Sequence, residues 1–163
     1  MSQYLKLFAG EGDQFKLLSA LGDPDFAERL AQAIGSFVDV RITAAEMDAL
    51  NASPKTLIAA PGAGKVIQVE RVLARVVPGS TAFELGTGTV DLRYQNSSGG
   101  LAAQLTNAFV ESAAAANFAA VGRDAVALAN QPLVAHASAD VTAGDGNLYL
   151  RIYYRVVDTA LIP

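Results

Sequence analysis

Three polar residues late in the chain are of the types that build a catalytic relay: His136, Ser138 and Asp140. They occupy alternate positions, so in a β-strand their side chains would share one face. Same-face neighbours in a strand lie about 6–7 Å apart, which is too far for the direct hydrogen bonds of a Ser-His-Asp relay. The spacing therefore favours a solvated polar face over a nucleophilic centre.

A glycine-rich loop between Gly62 and Lys65 partly matches a phosphate-binding loop. That motif requires a first glycine and a Mg²⁺-binding hydroxyl at positions where this chain has Ala59 and Val66. The residues that follow have a strand pattern, so no helix N-terminus would face a phosphate. We interpret the loop as a surface turn and keep a small-ligand- or nucleotide-binding β protein as an alternative hypothesis.

Metal and thiol chemistry is strongly restricted by composition. The chain has 0 Cys and 1 His, which excludes disulfides, thiol catalysis and a two-histidine zinc site within one chain. Asp140 and Asp145 could offer oxygen ligands to Ca²⁺, but their spacing is not that of an EF-hand loop. Residues 86–88 lack the third glycine and the helix of a dinucleotide-binding loop. We predict a protein that is not an enzyme, with no catalytic, cofactor-binding or metal-binding residues.

The overall composition is that of a folded domain. The chain has 163 residues, 52% of them apolar and 17% charged, which suits one domain with its own core. A net charge of −4 argues against general attraction to nucleic acid or anionic membranes, and 0 Trp argues against a carbohydrate-binding module. The chain shows no secretory signal at its start and no apolar run of about 18 residues. We expect a protein made in the cytoplasm that stays soluble or joins an assembly there.

The first forty residues differ in pattern from the rest. Asp23 and Pro24 match the cap and first position of a helix. Apolar residues spaced four apart predict that this helix covers about 24–34 and ends at Gly35. Beyond this segment the apolar period changes to two. We therefore predict a short N-terminal helical or extended arm, residues 1–40, and a β-domain, residues 41–163.

Alternating apolar residues predict strands throughout the second part. Residues 38–42 indicate a half-buried strand, and Thr43 with Glu46 matches a capping box that opens a short helix ending near Leu50. Further strands are predicted at 57–60, 66–77, 82–85, 90–94, 133–141 and 148–157. Short strands at this spacing predict a mainly β protein with an antiparallel β-sandwich or barrel, and argue against a Rossmann-type fold.

Turn residues suggest how these strands are connected. Segments 57–60 and 66–77 are predicted to form a hairpin, and a slip in the alternation near Glu70 predicts a β-bulge in its second arm. The turn at 144–147 predicts a hairpin that pairs the last strand with 133–141. Segment 101–127 is ambiguous because its alanines favour helix, whereas its context favours strand, turn and strand.

The last strand carries the strongest candidate for a contact surface. Tyr149, Arg151, Tyr153 and Arg155 alternate with apolar residues and would share one outward face. Tyr and Arg are enriched at the energetically dominant positions of interfaces. The alternative is a solvated sheet face on which the arginines pair with acidic side chains of neighbouring strands.

Three segments, taken in order, resemble small virion proteins of tailed bacteriophages, of the head decoration or cement type. The segments are ITAAE through ALNASP to LIAAPGAGKVI (42–67), NQPLV (130–134), and GDGNL through YYRVV (144–157). The resemblance covers about residues 41–158 and consists of turn and strand motifs. Residues 1–40 fall outside it.

The resemblance implies a jelly-roll-like β-sandwich that binds the outside of the expanded head and bridges and stabilises major capsid subunits. It implies a place on the head surface of the virion, after synthesis in the host cytoplasm. It also implies association with itself as a dimer or trimer, and no direct contact with nucleic acid or membrane. The apolar residues of the arm, Tyr4, Leu5, Phe8 and Phe15, would pack on a neighbouring subunit. A neck or tail protein is the alternative within the same class.

Overall fold

The computed structural model describes residues 35–123 and 129–161. The chain divides into two compact units, Met1–Gly35 and Ser36–Pro163, and the elements given below all lie in the second. The helix predicted over 24–34 lies outside the described residues, as do Tyr4, Leu5, Phe8 and Phe15. The first strand begins at Ser36, so residues 36–40, which the sequence pattern grouped with the arm, belong to a β-sheet.

Eight strands and two short helices follow one another in the described part of the chain. In order they are β1 (Ser36–Thr43), α1 (Ala44–Ala49), β2 (Lys55–Ile58), β3 (Lys65–Val77), β4 (Val90–Tyr94), β5 (Leu101–Leu105), α2 (Asn107–Val110), β6 (Ala116–Val121), β7 (Leu133–Ala137) and β8 (Asn147–Asp158). A 3-10 turn, Thr159–Leu161, follows β8. The prediction of a mainly β protein is confirmed.

The strands form two antiparallel four-stranded sheets. Sheet I has the order β1-β8-β3-β6, and sheet II has the order β2-β7-β4-β5. Both sheets contribute to one cluster of buried side chains, which includes Val72 and Ile152 from sheet I and Leu92 and Leu133 from sheet II. Burial of this apolar surface is the main favourable term in folding.

The helix after β1 begins as the sequence predicts. The backbone N–H of Thr43 donates to the Glu46 carboxylate at 2.8 Å, and the Glu46 N–H donates back to the Thr43 hydroxyl at 3.4 Å. This capping box satisfies two of the N–H groups that a helix leaves without partners. The short helix then places Met47 and, just beyond its end, Leu50 in the core with no exposed surface.

The predicted β-bulge is confirmed and keeps both halves of β3 in phase. Val69 pairs with Tyr154 and Arg71 with Tyr153, so Glu70 is the extra residue. The residue that follows β6 holds the bulge, because the N–H of Gly122 donates to the Glu70 carbonyl at 2.8 Å. Without an extra residue here, strict alternation along β3 would leave the apolar residues of one half on the outer face of the sheet.

The ambiguous segment 101–127 is resolved in favour of strands over its described part. It contains β5, the single helical turn α2, and β6. The ring of Phe109 in α2 stacks on that of Phe118 in β6 with centroids 5.1 Å apart. The alanines therefore lie mainly in sheet strands, where Ala102 and Ala103 are fully buried. Residues 124–128 lie outside the described part.

The hairpin predicted for segments 57–60 and 66–77 is wrong. Within the described residues β2 pairs with β7 in sheet II, whereas β3 pairs with β6 and β8 in sheet I. The intervening loop is a connection between sheets. Residues far along the chain hold this loop in place. The N–H of Gly62 donates to the Asn130 side chain at 3.0 Å, and the N–H of Thr159 donates to the Gly64 carbonyl at 2.8 Å.

The hairpin predicted for 133–141 and the last strand is also wrong, because β7 lies in sheet II and β8 in sheet I. The turn before β8 packs instead against the segment that follows β3. The Asp145 carboxylate accepts from the N–H groups of Ser80 and Thr81 at 3.0 and 2.8 Å. The Ser80 hydroxyl also donates to this carboxylate, and its hydrogen bond together with the two backbone ones holds the pKa of Asp145 below its ordinary value. Of the strands predicted at 82–85 and 90–94, the second is β4, whereas the first makes a single bridge between Glu84 and Ala143.

A charged side chain, Asp91 of β4, is buried in sheet II with 1% of its surface exposed. It accepts hydrogen bonds from Arg93 at 2.7 Å, from Thr89 at 2.8 Å and from Gln104 at 3.0 Å. Burial alone raises the pKa of Asp91, but the hydrogen bonds from Gln104, Arg93 and Thr89 outweigh burial and lower the pKa below its ordinary value. The carboxylate therefore stays ionised and ties β4 to β5.

We expect Asp91→Asn to destabilise the fold by about 2–3 kcal/mol at neutral pH, because partly buried Arg93 loses its charged acceptor. Since the folded pKa is lowered, the ionised group stabilises the fold above the unfolded pKa of about 4, and that contribution is lost as pH falls through the folded pKa. The difference in unfolding free energy between Asp91→Asn and wild type should therefore become smaller below about pH 4. Urea unfolding at neutral and acidic pH measures both effects. Exposed Asp140→Asn is the control, and an equal cost for the two variants would contradict the assignment.

A second prediction concerns the support of the bulge. A Cβ at Gly122 would lie 1.8 Å from the Val69 carbonyl oxygen. Gly122→Ala should therefore force the bulge apart and cost about 2–3 kcal/mol of unfolding free energy. Gly86→Ala is the matched control, because its φ of +61° is strained but its Cβ would meet open space, and we expect it to cost about 1 kcal/mol. Equal unfolding free energies for the two variants would contradict this role of Gly122.

Candidate functional site

The outer face of sheet I consists of three rows of side chains that cross all four strands. Strand register defines them, because directly opposite residues in antiparallel strands project to the same side. Row 1 is Arg41, Tyr149, Arg75 and Asn117; row 2 is Asp39, Arg151, Leu73 and Ala119; row 3 is Phe37, Tyr153, Arg71 and Val121. The opposite side of the same strands supplies core residues such as Val72, Leu150 and Ile152.

The four residues that the sequence proposed for a contact surface on β8 do share this face. Tyr149, Arg151 and Tyr153 are the β8 members of rows 1, 2 and 3, and Arg155 follows at the next outward position of the strand. Tyr149 is 40% exposed, and Arg151 and Arg155 are exposed as well. The placement of these residues is confirmed, and their role in an interface stays a prediction.

An aromatic and charged cluster occupies the β1 side of the face. The guanidinium carbon of Arg151 lies 4.7 Å from the centroid of the Phe37 ring, and the Tyr153 ring lies 6.0 Å from it. Phe37 is 57% exposed, so a large apolar ring faces solvent. Cation–π contact and aromatic packing hold the three side chains in a defined arrangement. The alternating pattern that predicts a strand begins at Val38, so it contains no direct signal for Phe37.

Arg151 is oriented by Asp39, its cross-strand partner. The Asp39 carboxylate accepts from Nε and from one terminal nitrogen of Arg151, each at 2.7 Å. This paired geometry is the strong form of an arginine–carboxylate contact. The hydrogen bond from Arg151 lowers the pKa of Asp39, and the same contact raises the pKa of Arg151. Both groups therefore stay charged, and the guanidinium is fixed over Phe37.

The outer face of sheet I has an excess of positive charge on an acidic chain. Five arginines lie on it (Arg41, Arg71, Arg75, Arg151 and Arg155) against the two carboxylates Asp39 and Glu70, whereas the whole chain has a net charge of −4. Arg155 pairs with Glu70 at 2.5 Å, and Arg41 donates to the Asn147 amide at 2.9 Å. Within the described residues, no carboxylate pairs with Arg71 or Arg75.

A shallow depression of about 850 Å³ lies in the middle of this face. Its outward lining comes from rows 1 and 2, with Leu73 and Ala119 as apolar residues and Arg41, Arg75 and Arg151 as charged ones. Leu73 is half-buried on the outer face, whereas the adjacent Val72 and Ala74 are buried in the core. The depression therefore offers an apolar contact surrounded by cationic groups, which is the arrangement of an interface centre with a polar rim.

The polar residues that suggested a relay do not form one. β7 ends at Ala137, so Ser138 and Asp140 leave the strand that holds His136. The Ser138 hydroxyl accepts from the N–H of Thr89 at 2.8 Å, and Asp140 accepts from Asn51 at 2.6 Å. His136 lies opposite Asp91 in the register, half-buried in sheet II. Ser138 and Asp140 therefore make separate local contacts, and the buried Nδ1 of His136 has no hydrogen-bond partner among the described residues.

The other motifs with possible chemistry are structural in the described part of the chain. β3 begins at Lys65, so a strand and no helix follows the glycine-rich loop. No group of three His, Cys, Asp or Glu side chains among the described residues could hold a metal ion. None of the helices in the described part has the length and apolar character needed to cross a membrane.

Comparison with known proteins adds no assignment. No protein family matches the chain, and no curated protein is detectably similar to it in sequence. The functional argument therefore rests on the residues and their arrangement.

Tyr149 and Leu150 are adjacent on β8 but face opposite sides, so they separate surface from core. We expect Tyr149→Ala to change the unfolding free energy by about 1 kcal/mol or less. Leu150→Ala should lower the unfolding free energy by about 2–4 kcal/mol, because Leu150 is only 2% exposed. Urea unfolding of the two single variants measures the difference. A cost for Tyr149→Ala as large as that for Leu150→Ala would mean that the outer face serves folding.

Proposed function

We propose that this chain is a non-enzymatic bacteriophage capsid decoration protein. In this proposal it binds the outer surface of the expanded head, where it bridges and stabilises major capsid subunits. The observation that carries the proposal is the outer face of sheet I, where exposed aromatic and arginine side chains are held together without serving the core. The resemblance of segments 42–67, 130–134 and 144–157 to head decoration proteins supplies the type of partner.

The proposed fold is a β-sandwich of the jelly-roll type. Two antiparallel four-stranded sheets that share one buried cluster support it. Such a body presents a whole sheet face to a partner while the opposite side of the same sheet stays in the core. The binding face can then be rigid, because its side chains are placed by strand register and do not depend on loop conformation.

Decoration would stabilise the shell by mass action. A protein that binds the expanded shell and not the unexpanded one shifts the equilibrium between them toward expansion. One modest contact is repeated at every equivalent position of a symmetric shell, so the effects add up over the particle. Association of the chain with itself as a dimer or trimer would add further bridges. The outer face of sheet I is a poor surface for face-to-face pairing of two copies, because it would bring arginines against arginines.

The test is co-sedimentation of the purified protein with shells of the phage that encodes it. We expect binding to expanded shells, no binding to unexpanded ones, and a loss of about tenfold or more in affinity for Tyr149→Ala and Arg151→Ala, since Tyr and Arg dominate interface energies. Arg123→Gln, an exposed position beyond the end of β6, is the control for lost charge. Equal binding of wild type and both face variants would contradict the proposed surface.

Three outcomes would redirect the proposal. Binding to isolated tails or necks and not to heads would assign the protein to those parts of the virion. A chain without residues 1–22 that binds shells with full affinity would remove the predicted arm contacts of Tyr4, Leu5, Phe8 and Phe15. No binding to any virion part would favour the alternative of a small-ligand-binding protein that uses the loop between Gly62 and Lys65.

A further inference from the structure

The positive charge on the outer face of sheet I is concentrated at β3. Arg71 and Arg75 are both exposed on this strand, and neither has an acidic partner among the described side chains. Arg151 and Arg155, on the neighbouring strand, have their charges matched by Asp39 and Glu70. Arg41 on β1 also lacks an acidic partner among the described side chains, but its guanidinium donates to the Asn147 amide. The two arginines of β3 therefore form a line of uncompensated charge on this face.

The spacing along that line is regular. Arg71, Leu73 and Arg75 are alternate residues after the bulge and belong to rows 3, 2 and 1. At about 3.3 Å per residue, the two arginine Cα atoms lie about 13 Å apart, with Leu73 midway. An extended chain laid along β3 repeats the same distances, so its residues i and i+4 would meet the arginines and residue i+2 would meet Leu73.

The charge and the spacing of the residues along β3 indicate which kind of partner can bind there. A carboxylate is the side chain that complements an unpaired guanidinium. Leu73 lies between the two arginines along β3, and with Ala119 and Arg75 it lines the depression, so an apolar contact is available beside the charges. A nucleic acid backbone fits less well, because it would place phosphates over Leu73 and beside the Asp39 and Glu70 carboxylates. A second copy in face-to-face contact would bring arginine against arginine.

We propose that β3 binds an extended acidic segment of a partner protein, with carboxylates four residues apart on Arg71 and Arg75 and an apolar side chain between them on Leu73. Row 1 widens the contact, because Tyr149 lies beside Arg75 and can pack against the same segment, and Arg41 lies on the far side of Tyr149. This inference rests on the proposed function, in which the segment belongs to the surface of the shell.

The test is fluorescence anisotropy of a labelled peptide, Thr-Glu-Thr-Leu-Thr-Glu-Thr, titrated with the full-length protein at low salt. Arg71→Gln and Arg75→Gln should each weaken binding about threefold to tenfold, and added salt should weaken it further. Arg123→Gln removes the same charge from an exposed position outside the three rows and should leave the affinity within about twofold. Leu73→Ser should weaken binding without changing its salt dependence.

Two control probes make the result specific. A peptide with both Glu residues changed to Gln should bind at least about tenfold more weakly, since it lacks the charges. Single-stranded DNA of equal charge should compete poorly. No binding of the acidic peptide, equal binding of the Gln peptide, equal affinity of wild type and Arg75→Gln, or equal competition by DNA would each overturn the inference.

Shell binding separates this inference from the proposed function. If shells bind wild type and Arg75→Gln equally but lose Tyr149→Ala, decoration stands and the acidic segment is refuted. If the peptide binds with the expected pattern but no shell binds, the acidic-segment site stands and its partner is not a capsid. If shells bind and the acidic peptide competes with them, both hold.

Discussion

The register of β8 is the constraint on which both the fold and the candidate surface depend. β8 pairs with β1 and β3 at once, in eight and twelve residue pairs respectively. Because strand side chains alternate, this pairing places Leu150 and Ile152 in the core and Tyr149 and Arg151 outside. A slip of one residue would exchange the two sets. The stability of the core and the composition of the outer face are therefore set by the same hydrogen-bonded register.

One irregularity makes that arrangement possible for the neighbouring strand. β3 has inward apolar residues in both halves, but their spacing is out of phase by one position. The extra residue Glu70 corrects the phase, so Val69 and Val72 are both buried while Arg71 and Arg75 stay outside. The bulge also turns the Glu70 carboxylate toward Arg155. The pairing of Arg155 with a carboxylate therefore depends on the inserted residue, whereas Arg151 is paired by Asp39 of β1.

Features encoded by neighbouring residues could be predicted from the sequence, and features encoded by distant contacts could not. The alternation of β8, the capping box at Thr43 and the bulge at Glu70 each depend on residues a few positions apart. Both predicted hairpins were wrong because turn residues show where the chain bends and not which sheet receives it. Contacts such as Asp145 with the Ser80 segment make that choice. Likewise, the alternation within β8 predicts that its four residues share one face. That Leu73 lies beside them depends on the pairing of β3 with β8, which the alternation does not predict.

The two arginines of β3 that lack acidic partners determine how the surface can act. Like charges on one face repel, so Arg71 and Arg75 gain no favourable charge pairing within the described part of the fold. At physiological salt their field extends only about 8 Å, which is enough to orient a partner at short range but not to hold it. Retention then has to come from desolvated contacts, and Phe37, Tyr149 and Leu73 are the apolar groups available beside the arginines. The charges and the apolar groups therefore have separate roles: the arginines select an acidic partner, and the apolar side chains set how long it stays.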